Sequence, residues 1–134
     1  MFRRLTITSL LVAIAFLTVL AHPTLAAPKD TISQQIDCSK AVSTPELKYC
    51  AEQSYKAADK RLNQVYQKVI STLSSEPKQK LIDAQLAWIE FRDNNCSFET
   101  YGSRDGTAYQ IFWSGCLERL TKQRTTDLEE YLSR

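Results

Sequence analysis

The chain has 134 residues, with 17 basic and 15 acidic side chains and a formal net charge of +2. Arg3 and Arg4 lie within the first 26 residues, so the 108 residues that follow carry 15 basic and 15 acidic side chains. A neutral segment lacks the basic field that captures nucleic acid or an anionic membrane surface, which excludes both as expected partners. Its length suits one domain with a modest core.

The first 26 residues have the pattern of a secretory signal peptide. A short basic start precedes an uncharged, mostly apolar run over residues 5–21, and Thr24 and Ala26 place small residues at positions −3 and −1 of a cleavage site. We therefore predict cleavage after Ala26 and Sec-type export to the periplasm or the outside of the cell. Residues 27–134 are expected to form a single domain without an integral membrane span.

Four cysteines remain in the exported part, and they predict two disulfides. An even number of cysteines in a small exported domain is typical of a disulfide framework. Their spacings contain no Cys-x-x-Cys, and the only histidine, His22, is removed with the signal peptide. We therefore expect no metal site and no cofactor. The cysteines are Cys38, Cys50, Cys96 and Cys116.

The first helix follows an arm without clear periodicity over residues 27–43. Thr44 is predicted to cap the helix, with Pro45 at its first helical position and Glu46 complementing the helix dipole. Apolar residues then recur at spacings of three and four, which predicts a long amphipathic helix over residues 45–74.

The second helix is predicted over residues 76–101, with Ser75 as its cap. Because the link before it is short, the first two helices are expected to pack as an antiparallel hairpin. It contains the stretch around which the chain is organised, residues 84–96. Within this stretch Gln85, Trp88, Arg92 and Cys96 share one stripe of a helix, and each polar member needs a partner if it is buried.

A turn and a third helix complete the predicted domain. The turn, Gly102–Gly106, begins and ends with a glycine, and these are two of the three glycines in the chain. Thr107 and Gln110 form a capping-box pattern that begins a helix ending near Leu132. The predicted fold is all-α, with three long helices in an antiparallel arrangement, an N-terminal arm and two disulfides.

Counting residues outward from each turn predicts the disulfide pairs. Cys96 and Cys116 lie at similar distances from Arg104, and Cys38 can fold back onto Cys50. The preferred pairs are therefore Cys38–Cys50 and Cys96–Cys116. Pairing Cys50 with Cys96 and Cys38 with Cys116 remains an alternative, because these cysteines lie toward the same end of the hairpin.

The same counting predicts two polar clips between helices. One joins Asp59 to Arg92, and the other joins Tyr66 to Gln85 and Arg124. These clips either fix the register of the helices in a small core or line a polar binding groove. Residues expected in the core include Trp88, Leu62 and Leu120.

The exported part offers little that catalysis needs. It has no histidine, no expected free thiol, no Gly-x-Ser-x-Gly sequence and no phosphate-binding loop. The acidic pairs Glu90/Asp93 and Glu129/Glu130 are typical of solvated helix surfaces. We therefore predict that the protein is not an enzyme; a hydrolase would need two carboxylates of separated acidity in a polar cleft.

Aromatic side chains concentrate near the glycine turn. They either seal the end of the core or form a rigid platform for a partner, since aromatic residues and Arg supply many interface hot spots. The aromatic residues are Phe98, Tyr101, Tyr109, Phe112 and Trp113. In the second interpretation the partner-binding residues are Tyr101, Ser103, Arg104, Asp105 and Trp113.

The run Gln-x-x-Trp-x-x-x-Arg-Asp-x-x-Cys over residues 85–96 resembles the LprI family of bacterial exported domains, which is named for a mycobacterial lysozyme inhibitor. This run is the most specific part of a resemblance that extends from Cys38 to about Leu132. Further matching residues are Tyr49-Cys50-Ala51, Ala58-Asp59, Leu62-Asn63, Tyr66, Cys116, Leu120-Thr121, Arg124 and Leu128.

The resemblance implies an exported, helical, disulfide-bonded domain that inhibits lysozyme by protein–protein binding. The inhibitor for which the family is named is a lipoprotein, but the predicted cleavage site of this chain has no Cys that could carry the lipid. If lysozyme is the partner, we expect Arg104 to approach the carboxylates of its cleft. The competing hypothesis is an envelope adaptor that binds another periplasmic protein or a peptidoglycan fragment. A groove lined by Gln85 and Arg124 would favour that hypothesis. The sequence does not indicate an oligomeric state.

Overall fold

The computed structural model describes residues 36–134. The predicted signal peptide and residues 27–35 of the predicted arm lie outside the described residues. Three α-helices make up the fold: α1 (Thr44–Thr72), α2 (Ser75–Glu99) and α3 (Tyr109–Leu132), with a short 3₁₀ helix at Tyr101–Ser103 between α2 and α3. No strand occurs in the part described, which confirms the prediction of an all-α fold with three long helices.

The start of α1 lies one residue earlier than predicted. Ser43, and not Thr44, is the N-cap, and it forms a capping box with Glu46. The Glu46 carboxylate accepts hydrogen bonds from the Ser43 hydroxyl at 2.7 Å and the Ser43 amide at 3.0 Å. The Glu46 amide donates back to the Ser43 hydroxyl at 3.4 Å, so the box satisfies two amides at the helix start where a lone Thr44 hydroxyl would satisfy one.

The other two predicted caps were also wrong. Ser74, and not Ser75, precedes α2, and its side chain makes no capping hydrogen bond. The proposed capping box of Thr107 with Gln110 is absent, because α3 begins at Tyr109 with Ala108 as its cap. Here the loop continues as turns, in which the Tyr109 amide donates to the Gly106 carbonyl at 3.2 Å, and the helix starts later.

The closest helix pair is α1 with α3, which differs from the hairpin expected for α1 and α2. The buried α3 residues Ser114, Thr121 and Thr125 are small and recur along one stripe, and Ala58 is buried on α1. Small side chains let two helix backbones approach closely. The ion pair between Arg61 on α1 and Glu129 on α3 also shows which levels of the two helices meet.

The second helix packs antiparallel to the other two, and the side chains at its contacts are larger than those between α1 and α3. Arg92 of α2 is only 8% exposed, and its guanidinium lies over the rings of Tyr55 on α1 and Trp88 on α2, at 5.7 Å and 5.2 Å from the ring centroids. Side chains of this size hold α1 and α2 farther apart than the small residues between α1 and α3 do. A short link therefore made α1 and α2 antiparallel neighbours without making them the closest pair.

The core consists of two apolar clusters that Trp88 connects. The first contains Leu62, Val65, Val69 and Leu128, and the second contains Cys96, Cys116, Leu117 and Leu120. Leu62 and Leu120 are buried, as expected of core residues. Trp88 is half-buried and packs against both clusters.

Candidate functional site

Two disulfides join cysteines that are close in sequence. Cys38 pairs with Cys50 and Cys96 with Cys116, each with a Cα–Cα distance of 5.6 Å, and no cysteine is free. The structure thus adopts the preferred pairing and not the crossed alternative. The bond between Cys96 and Cys116 is buried and ties the last turns of α2 to the start of α3. It fixes the base of the loop between them.

The loop between α2 and α3 is closed by a series of short-range hydrogen bonds. The Ser103 amide donates to the Thr100 carbonyl at 3.0 Å, and the Gly106 amide donates to the Ser103 carbonyl at 2.9 Å. The hydroxyl of the buried Thr100 donates to the Cys96 carbonyl at 2.7 Å, and the Ser103 hydroxyl donates to the Thr100 carbonyl at 2.9 Å. Because its polar backbone groups bond within the loop, the loop is preorganised before any partner arrives.

Large side chains project from this end of the bundle. Phe98 is 83% exposed, Tyr101 61% and Phe112 54%. The Arg104 guanidinium lies 4.1 Å from the centroid of the Tyr101 ring, and its Nη1 donates to the Tyr101 carbonyl at 3.3 Å. We call Phe98, Tyr101, Arg104 and Phe112 the turn-end surface.

The other residues predicted to bind a partner, Ser103, Asp105 and Trp113, differ in how far they are exposed to solvent. Asp105 is exposed, with a carboxylate oxygen 3.6 Å from Arg104 Nε, and Ser103 is half-buried. Trp113 is also half-buried, because it packs against the cluster around the disulfide and lies 6.0 Å from the Tyr109 ring. Trp113 and Tyr109 thus close the end of the core, while the turn-end surface stands outside it. The first interpretation therefore applies to Trp113 and Tyr109, and the partner-binding interpretation stays a prediction.

A groove of about 470 Å³ lies between the loop and the start of α3. Gly102, Ser103 and Phe112 line it, and an ion pair between Glu99 and Arg119, at 2.6 Å, stands beside them. The groove thus separates the 3₁₀ helix from α3, and Phe112 of the turn-end surface lies on its α3 side.

The pair of Glu99 with Arg119 was missed in the sequence. Glu99 Oε2 lies 3.6 Å from the Cys116 sulfur, so the pair covers the disulfide. Glu99 follows Cys96 by three residues, and Arg119 follows Cys116 by three. Each charged residue therefore lies one helical turn after a cysteine of the bond, and both side chains reach the Cys116 sulfur.

The first polar clip is built differently from its prediction. Arg92 Nη1 lies 3.9 Å from an Asp59 oxygen, which is a long contact, and its shorter bonds go to Asp93, with Nε and Nη2 both at 2.8 Å. Burial next to this cluster raises the pKa of the Tyr55 hydroxyl above its ordinary value, and the charge of Arg92 opposes the shift. Asp59 instead accepts a hydrogen bond from Asn63 at 3.1 Å.

The second polar clip forms in part. Arg124 Nε donates to Gln85 Oε1 at 3.1 Å, which links α3 to α2. Among the residues described, no hydrogen bond joins Tyr66 to Gln85 or Arg124. The Tyr66 ring packs against the apolar cluster around Leu62 instead. Tyr66 thus contributes to the apolar core, and the predicted hydrogen bonds of its hydroxyl do not form among the described residues.

The described residues show neither a metal cluster nor a membrane-spanning helix. Over residues 36–134 no three His, Cys, Asp or Glu side chains are grouped so that they could hold a metal ion. None of the described helices is both long and apolar enough to cross a bilayer.

One member of each acidic pair from the sequence is bonded to an arginine. Asp93 forms an ion pair with Arg92, and Glu129 accepts a hydrogen bond from Arg61 at 2.5 Å.

Comparison with known proteins gives one family and one curated relative. The family described as "Lysozyme inhibitor LprI" matches residues 37–128, which is more than half of the chain. An uncharacterized protein of Rhizobium meliloti (strain 1021) is 35% identical over 119 residues, covering 79% of this chain and 86% of the relative. No solved structure matches the chain significantly. The chain therefore belongs to the LprI family of lysozyme inhibitors.

Proposed function

We propose that this protein inhibits lysozyme by binding it directly through the turn-end surface. The observation that carries the proposal is a set of exposed aromatic rings and one guanidinium, which lie on a loop closed by a buried disulfide and on the two helix ends that flank it. Aromatic residues and Arg dominate the binding energy of many protein interfaces. Membership of the LprI family supports lysozyme as the partner.

The rigidity of this end favours binding. A loop that is already held by the Cys96–Cys116 bond and by its own backbone hydrogen bonds loses little conformational freedom on binding. Its aromatic rings already stand in solvent, so contact with a partner would remove apolar area from water without rearrangement of the core.

Arg104 is the residue we expect to approach the lysozyme cleft. Its side chain is 51% exposed, and its one carboxylate neighbour among the described residues, Asp105, is 3.6 Å away and almost fully solvated. Lysozyme catalyses with two carboxyl groups in its cleft, and a guanidinium forms charge-assisted hydrogen bonds with carboxylates. Its position over the Tyr101 ring and its bond to the Tyr101 carbonyl restrict the conformations of the Arg104 side chain.

The predicted export fits this function. We propose that residues 1–26 are a signal peptide cleaved after Ala26 and that the mature protein acts in the periplasm or outside the cell, where it would meet lysozyme. An oxidising compartment is also where two disulfides would form and persist. We further propose that the mature protein has no enzymatic activity of its own.

The first test is inhibition of lysozyme-driven cell-wall lysis. The full chain is expressed with export, and the oxidised product is purified and titrated against several lysozyme types, with a reduced sample as the control. We expect submicromolar inhibition of at least one type, lost on reduction because the loop is no longer closed. No inhibition by the oxidised protein of any lysozyme type tested would contradict the proposal.

Charge reversal at Arg104 tests the surface itself. We expect Arg104→Glu to raise the inhibition constant about tenfold or more, because it would place a negative charge against the lysozyme carboxylates. Lys78→Glu makes the same charge change at an exposed position near the start of α2, far from the turn, and serves as the matched control. Equal inhibition constants for the two variants would remove Arg104 from the interface.

An envelope adaptor is the second candidate function. Apolar residues of α2 outside the turn-end surface are exposed, with Leu86 at 63% and Phe91 at 57%. Such side chains favour contact with another protein. This candidate becomes the leading one if the oxidised protein inhibits no lysozyme.

A further inference from the structure

A cavity of about 370 Å³ opens at the end of the bundle opposite the turn-end surface. It lies where α1 ends, α2 begins and α3 ends, and its volume falls in the range of small-molecule sites. Its floor is apolar, and its other lining residues bring three basic side chains and one acidic one. The apolar lining residues are Val69, Leu73, Pro77, Leu81, Leu128 and Tyr131. The charged ones are Lys80, Arg124, Asp127 and Arg134.

Arg124 is the polar centre of this cavity. Its side chain is half-buried, and its Nε donates to Gln85 at 3.1 Å, which fixes the plane of the guanidinium. Among the described residues no carboxylate lies within ion-pair distance of Arg124, and Gln85 is its one hydrogen-bond acceptor. The two Nη groups therefore keep their N–H donors open, and a half-buried cation without a counter-ion favours an anion in its place.

We propose that this cavity binds a small anionic amphiphile, with a carboxylate or phosphate head on Arg124 and a short apolar tail on the Leu81 and Leu128 floor. The two Nη groups of an arginine match the two oxygens of such a head. Lys80 at the rim adds a second positive charge. This site is separate from the turn-end surface and does not depend on lysozyme binding.

The size of the cavity limits the ligand. Bound ligands usually bury most of their surface in sites of this kind, and about 370 Å³ suits a chain of several carbons better than a full diacyl lipid. The apolar floor contributes affinity for the tail, while the single fixed guanidinium selects a charged head over a neutral one.

The test is calorimetric titration of the purified oxidised protein with four probes: octanoate, octyl phosphate, octanol and inorganic phosphate. We expect octanoate, octyl phosphate or both to bind, and octanol to bind at least about tenfold more weakly, because it cannot accept charge-assisted bonds. Inorganic phosphate should also bind at least about tenfold more weakly than octyl phosphate, since it has no tail. The ratio of octanoate to octyl phosphate distinguishes a fatty-acid head from a lipid-phosphate head.

Variants locate the site. Arg124→Met keeps the apolar stem of the side chain and removes its charge, so octanoate and octanol should then bind alike. Arg119→Met, on the same helix but at the turn end, should leave both affinities unchanged. If Arg124→Met does not fold, Lys80→Met gives the same test at an exposed residue, with an expected loss of a few-fold for the charged probes alone.

Three results would overturn the proposal. One is equal binding of octanoate and octanol to the unmodified protein. Another is unchanged octanoate affinity in a folded Arg124→Met variant. The third is the lack of any binding of octanoate and octyl phosphate at millimolar concentration.

Discussion

The two ends of the helical bundle are built by opposite means. At the turn end a buried disulfide, a loop with internal hydrogen bonds and the pair of Glu99 with Arg119 hold α2 against α3. At the other end α1 and α2 are joined by residues 73–74 alone, and the bond of Arg124 to Gln85 ties α3 to α2. The first end projects aromatic rings into solvent, and the second encloses a cavity.

This difference suggests different kinds of ligand for the two ends. A rigid projecting surface can enter the cleft of another protein without paying for its own ordering. A concave site with an apolar floor and one fixed cation suits a small molecule. The same three helices provide both, because a buried disulfide ties α2 to α3 at one end of the bundle and a side-chain hydrogen bond does so toward the other.

The largest expected effect comes from removal of the buried disulfide. Replacing Cys96 and Cys116 together with Ala should lower the free energy of unfolding by about 3 kcal/mol from chain entropy, with a further loss from the cavity left by the sulfurs. The matched control replaces Cys38 and Cys50, which should cost less because their loop is shorter and Cys38 is exposed. Urea denaturation of both double variants measures the difference. An equal or larger loss in the control would mean that the Cys96–Cys116 bond is not the more stabilising of the two disulfides.

A smaller effect is expected at Arg92, in the middle of the bundle. Arg92→Met should lower the free energy of unfolding by about 1–2 kcal/mol, because the cation is buried between Tyr55 and Trp88 while its carboxylate partners are half-exposed. Arg119→Met removes an exposed ion pair at the turn end and should cost at most about 0.5–1 kcal/mol. Equal losses would contradict this, because the exposed pair of Glu99 with Arg119 would then stabilise the turn end as much as the buried Arg92 stabilises the middle of the bundle.

The smallest effect concerns the capping box of α1 and depends on pH. The hydroxyl and amide of Ser43 hold the pKa of Glu46 below its ordinary value of 4.5. The stabilisation from ionised Glu46 is therefore complete above about pH 4.5 and is lost as the pH falls through the lowered pKa. Glu46→Gln should thus melt at a lower temperature than the unmodified protein at pH 7, and the gap should narrow toward pH 3. A gap that widens on acidification would contradict this role of Glu46.

Much of the fold follows from local signals in the sequence. Apolar spacing and turn residues gave three helices, and distances from the turns gave both disulfide pairs. The closest helix pair was not predicted, because a short link shows which helices are neighbours but not how far apart they lie. That distance depends on the size of the side chains between the two helices. The stripe of α3 that meets α1 carries the small residues Ser114, Thr121 and Thr125, whereas the large side chains of Arg92 and Trp88 lie between α1 and α2.

The surfaces were harder to predict than the fold. Whether Trp113 or Phe112 faces solvent depends on how α3 is rotated about its axis, and that rotation is fixed by the buried Cys116 and Leu117. Tyr66 could bond through its hydroxyl or pack through its ring, and its sequence position does not decide between them. The cavity at Arg124 forms where the junction of α1 and α2 meets the end of α3, which is far away in the sequence, so no local pattern indicates it.

The most direct test of the proposed turn-end interface is amide hydrogen exchange of the oxidised protein, alone and with saturating lysozyme. We predict that lysozyme slows exchange at residues 98–106 and in the first turn of α3, while residues 73–81 and 124–134 exchange as before. Two results would contradict the assignment of the turn end as the binding surface. One is slower exchange confined to residues 73–81 and 124–134. The other is no slowing anywhere, at concentrations at which the protein inhibits lysozyme.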